Sequence, residues 1–129
     1  MKANKIIAGI IIALVLLASS PFTREYPDLQ PQRFNQPFDK VFDAALSATR
    51  AMGWDLREAN RDQGVIEAIA ATRILKSKDD VTLTLTREGG DVVVNVRSKS
   101  RWGKSDFGMN ARRIRAVQAQ LANNLAKNL

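Results

Sequence analysis

The apolar and polar positions along the chain fall into three regimes. Ile6 to Ala18, I-I-A-G-I-I-I-A-L-V-L-L-A, is apolar throughout and follows Lys2 and Lys5. Thr23 to Gln36 holds two prolines and no period, which predicts an extended tether. From Pro37 onward the pattern is regular. Phe38, Val41, Phe42, Ala45, Thr49 and Met52 recur at helical spacing, Pro37 suits a first helical position, and Gly53 suits the residue past the end.

Alternation with a period of two then takes over. Trp54 to Ala59, Val65 to Leu75, Val81 to Thr86 and Val92 to Arg97 each read as a strand. They are separated by Asn60-Arg61-Asp62-Gln63-Gly64, by a charged turn over Lys76-Ser77-Lys78-Asp79-Asp80, and by a Gly89-Gly90 hairpin. A last helix runs from about Phe107 to Leu125, with Phe107, Ala111, Ile114, Val117, Leu121 and Leu125 as its buried stripe. Ser105 or Asp106 is its natural N-cap. The expected fold is α+β: helix, four-stranded antiparallel sheet, helix, with both helices on one face of the sheet. The expected division is 1–22 as signal peptide or signal anchor, 23–36 as tether and 37–129 as a single domain.

The first regime sets the expected location. A short basic region before about 13 apolar residues is the layout of a secretory signal. It is short of the roughly 17–25 residues of a full span, and a continuation to Phe22 reaches only the lower edge of that range. Cleaved signal and uncleaved anchor both remain open. Either places the domain outside the inner membrane, periplasmic or on its outer face, with the N-terminal segment as the membrane contact.

Charge adds a local feature. Between Arg97 and Arg115 lie seven basic residues and one acid, while the rest of the chain is nearly balanced, at 13 basic and 12 acidic. A basic patch of this kind suits an anionic partner. The chain has no Cys and no His. Disulfides, thiolate nucleophiles, lipidation of an N-terminal Cys and every Ser-His-Asp triad are therefore excluded. No spacing suggests a metal or a cofactor. Nucleic acid is not expected, since the patch offers only Trp102 and Phe107 for stacking.

The residues Arg97 to Ile114, R-S-K-S-R-W-G-K-S-D-F-G-M-N-A-R-R-I, resemble the signature R-S-x-S-R-x-G-x-S-D-x-G-x-N-A-x-R-I of domain-of-unknown-function family 1499. Tyr26-Pro27-Asp28-Leu29, Met52-Gly53-Trp54, Ile66-Glu67-Ala68 and Lys78-Asp79-Asp80-Val81 extend the resemblance over nearly all of the chain after the N-terminal segment. Ser77 departs from it, standing where members usually carry an aromatic. The resemblance implies no activity.

On a helical wheel centred on Ile114, Asn110 falls about 40° off centre, Asp106 about 80° and Arg113 about 100°, all on one side. Asn110 should thus be buried and need partners, with the Ser98–Ser100 segment nearest. One reading makes Asp79, Asp80, Asp106, Asn110 and Arg113, with Arg101, a structural polar network that pins the last helix to the sheet end. A second makes Arg97, Ser98, Ser100, Arg101, Lys104 and Arg112 a site for a small anion, an anionic lipid head group or a partner. A third has Asp79, Asp80 or Asp106 as a catalytic base with Arg101 as electrostatic stabiliser, but no nucleophile–base pair supports it. The expected function is a non-catalytic interaction or scaffold module of the cell envelope. Binding of anionic lipid or a small anion is the alternative and an enzyme the least supported.

Overall fold

A computed structural model describes residues 29–72, 77–101 and 107–127. The chain divides into two compact units, Met1–Gln30 and Pro31–Leu129, and the elements described all belong to the second. In order they are β1 (Gln32–Phe34), α1 (Phe38–Ala51), β2 (Asp55–Asn60), β3 (Val65–Thr72), β4 (Ser77–Glu88), β5 (Asp91–Ser100) and α2 (Phe107–Lys127). The sheet is antiparallel with order β1-β5-β4-β3-β2, so β4 is central. The fold is α+β, and the four strands expected from alternation become five. Gln32–Phe34, expected to be tether, pairs with β5 through Gln32↔Val94 and Phe34↔Val92.

β1 escapes a pattern reading because three residues hold too little alternation to register. Its anchors are polar and distant in sequence. The Gln32 amide donates to the Gln118 carbonyl of α2 at 3.0 Å. Arg33 pairs with Glu88 at 2.8 Å and with Asp91 at 3.4 Å. The Asn35 amide donates to Asp91 at 3.0 Å.

The second correction concerns 77–80. Instead of a charged turn, these residues open β4, and the β4–β5 ladder runs unbroken from Asp79↔Ser100 to Glu88↔Asp91. Charge misled the reading here, because each of the two acids has a partner described below. The Gly89-Gly90 turn joins Glu88 to Asp91 as a two-residue hairpin, with Gly89 at φ +62°.

The core follows from parity. Val81, Leu83 and Leu85 on β4, Val92, Val94 and Val96 on β5, and Ile66, Ala68 and Ala70 on β3 are buried. Against them pack Val41, Phe42, Ala45 and Ala48 of α1 and Ala111, Ile114, Val117, Leu121 and Leu125 of α2. The two helices contact each other. α2 leans mainly on β5, and α1 on β2 and β4. The side chain of Phe107, expected to head the α2 stripe, lies outside the described residues.

Two guanidiniums cover the rim of α1. Arg61 stacks over Phe42 at 4.7 Å and pairs with Asp39 and Asp43, while Arg87 stacks over Phe38 at 3.9 Å. Both edges of the sheet are blunt. β1 is only three residues long, and β2 is bulged between Leu56 and Glu58 with Asp55, Arg57 and Glu58 exposed. Short, bulged and charged edges resist strand addition by another chain.

Candidate functional site

Register and parity decide where the basic stretch goes. On β5, Val96, Ser98 and Ser100 turn toward the helices and are buried, while Arg97 and Lys99 turn to the opposite face and are exposed. The acids of β4 divide in the same way. Asp79, opposite Ser100, points inward; Asp80, opposite Lys99, points outward.

Three buried side chains meet where α2 begins. The Ser98 hydroxyl donates to the Asn110 side-chain oxygen at 2.6 Å. Arg113, one turn further along α2, donates to the same oxygen at 3.5 Å. The Arg113 guanidinium also forms an ion pair with Asp79. Asn110 is 1% exposed, Ser98 3% and Asp79 5%. Desolvation pulls the Arg113 pKa below the usual arginine value, and the group stays charged at any ordinary pH. The chain of contacts Asp79–Arg113–Asn110–Ser98 thus joins β4 and β5 to the first turns of α2. A buried charge with a partner and hydrogen bonds is tolerated where an isolated one is not.

Asp80 belongs elsewhere. Both its oxygens accept from Arg101 Nε, at 3.0 and 3.2 Å, on the exposed face of the sheet. This pair is about half exposed, so it contributes little to stability. Asp80→Ala should change the unfolding free energy by less than about 1 kcal/mol in a urea melt. Ser98→Ala should cost about 1–2 kcal/mol, because it strips a buried acceptor of its nearest donor.

The residues expected as an anion site do not converge. Ser98 and Ser100 face the helices, Arg97 and Arg101 face the other way, and Arg112 lies on the exposed side of α2. Adjacent strand residues alternate faces, so an R-S-x-S-R run cannot bring its serines and arginines to one point. Asp106 and Lys104, with Ser105, lie outside the described residues. Among the described residues no group of three or more acidic residues could hold a metal ion. A shallow groove of about 350 Å³ lies between α1 and α2, lined by Lys40, Asp43, Ala44, Ser47, Asn124 and Lys127. It sits roughly 20 Å along α2 from Asn110.

Ser98 is the member of the buried chain whose role the sequence left divided, since the same hydroxyl served the anion reading. The deciding signal is the parity it shares with Val94 and Val96. The Arg61 and Arg87 stacks on α1 carried no motif and were not anticipated.

These features define a class: an α+β fold whose most distinctive residues tie its last described helix to the end of its sheet. The chain belongs to the family described as Protein of unknown function (DUF1499), whose model matches residues 13–121, the whole Arg97–Ile114 motif included. No curated protein matches it.

Proposed function

We propose that this protein is a non-catalytic interaction or scaffold module of the cell envelope, exported and either held at the outer face of the inner membrane through residues 6–22 or released from it. The observation that carries this reading is the sheet face turned away from α1 and α2. On it Val65, Thr82, Thr84, Thr86, Val93 and Asn95 are half-buried, with Glu67, Arg97 and Lys99 exposed around them. Hydroxyl and aliphatic side chains rimmed by charge suit a protein partner. Ser98, Asn110 and Arg113 of the family motif are engaged with one another, which favours this face as the surface for contact. Among the described residues no helix is long and apolar enough to cross a membrane. The export segment of this reading is residues 1–22, which precede them.

A photo-crosslinking side chain at Thr84, compared in cells with one at Ser47 on the exposed side of α1, tests the interaction reading. Protein adducts from position 84 and few from 47 are expected; equal yields, or none, would overturn it. A periplasm-dependent reporter fused after Leu129 tests export, and an inactive fusion refutes it. The alternative of anionic lipid binding draws on Arg97, Lys99 and Arg112, which are exposed and form no ion pair among the described residues. Under that alternative, reversing Arg97 and Arg112 together would abolish salt-sensitive binding of the full chain to anionic vesicles.

A further inference from the structure

The cross-strand rows of this same face carry a charge pattern that names a partner. One row reads Arg97 on β5, Thr82 on β4, Glu67 on β3 and Glu58 on β2. The next reads Lys99, Asp80, Ile69 and Asp55. A third reads Asn95, Thr84, Val65 and Asn60. Cations stand on the β5 side of the central strand and acids on the β3 side. Glu58 and Glu67 are exposed directly opposite each other, and neither forms an ion pair among the described residues. Like charges in that relation repel and leave a demand for a cation from outside.

Resting on the interaction reading above, we infer that this face pairs with the same face of a second copy of the chain, about a two-fold axis running along β4. Such an axis sends β5 of one copy over β3 of the other at the same height. Arg97 and Glu67 share one row and stand one strand either side of Thr82. The operation therefore sets each Arg97 over the partner copy's acid and each Glu67 over the partner copy's base, as an isologous contact requires. In the next row Lys99 comes to stand over Ile69, which is already buried in its own chain at 8% exposure and adds little apolar contact. Asp80, on the axis, meets its own copy with its charge already held by Arg101. Thr82 and Thr84, also on the axis, are small enough to let two sheets approach to about 10 Å. Five strands about 4.8 Å apart and rows about 3.3 Å apart make a face of roughly 600 Å² on each copy, within the range of specific interfaces.

The chain has no cysteine, so introduced ones report without background. In full-length protein kept in its native membrane fraction, Thr82→Cys and Thr84→Cys should each give a covalent dimer with a short bismaleimide crosslinker, which spans sheets too far apart for a direct disulfide, and Ser47→Cys should not. In the Thr82→Cys chain, Arg97→Glu or Glu67→Arg alone should cut the dimer band roughly tenfold or more, since each sets like charges against each other twice. The two reversals together should restore it, and restoration also shows that the variants fold. Equal crosslinking from Ser47→Cys, or a dimer indifferent to the single reversals, would overturn the proposal. Adducts from Thr84 to a different protein with no self-adduct would overturn self-pairing and leave the interaction reading intact. No adduct of either kind would overturn both.

Discussion

Gly64→Ala should be the most damaging single-methyl substitution in the domain, lowering unfolding free energy by about 2–5 kcal/mol. Gly64 holds φ at +69°, and a Cβ there would lie 2.3 Å from the Leu85 backbone oxygen. The Gly64 carbonyl also accepts from the Leu85 N–H at 2.7 Å. The β2–β3 turn is thus pressed against the middle of β4, and the atom in the way is backbone that cannot rotate aside. The left-handed conformation alone costs an alanine about 1–2 kcal/mol, and overpacking adds about 1–3 kcal/mol. For a domain of this size that is a fall in melting temperature of roughly 10 °C or more. Gly53 is the internal control. Its φ is +76°, but nothing lies within 4 Å of the added Cβ, so Gly53→Ala should cost only about 1 kcal/mol. Thermal melts of the two variants side by side decide the matter: similar losses would mean that the contact with Leu85 is unimportant.

The second large effect is expected at Asp79. Asp79→Ala takes the ion pair from the buried Arg113 guanidinium, whose hydrogen bond to Asn110 is long at 3.5 Å. Breaking a buried pair from one side costs about 3–5 kcal/mol. Arg113→Met breaks the same pair from the other side and leaves the buried Asp79 carboxylate without that cation, so a loss of similar size is expected. The double variant should then be more stable than the sum of the two losses by about 1–3 kcal/mol, the signature of coupled partners. Urea melts of all four proteins give the cycle, and strictly additive losses would refute the pair's role. Far-ultraviolet circular dichroism should retain both helices in each variant, because the tie sets where α2 sits rather than whether it forms.

Much of this architecture is legible in the chain itself. The stripes of α1 and α2, the three long strand alternations and the Gly89-Gly90 turn rest on periods of 3.6 and 2, which burial imposes directly. The wheel placed Asn110 and Arg113 on the same flank of α2, and the expected polar network grouped Asp79 and Asp80 with them. Which acid pairs with which arginine needed the register. One residue of offset sends Asp79 to Arg113 inside the sheet and Asp80 to Arg101 outside it. The same one-residue alternation separates the serines of the motif from its arginines, which a linear reading grouped as one anion site. β1 was illegible for another reason. Three residues carry no period, and its partners lie more than 50 positions away, where only the folded sheet brings them.

That short first strand also decides where the chain can be cut. A domain trimmed to begin at Pro37, where regular periodicity starts, would keep both described helices and every long strand among the described residues. It would also uncover the side of β5 along which Gln32, Arg33 and Phe34 pair with Val94, Val93 and Val92. Those valines lie in a regular stretch of an extended strand, and unpaired backbone there is a template for fibril-like association. Truncations for biophysical work should therefore start at or before Pro31. The expected contrast is a soluble product from that start and an aggregating one from residue 37.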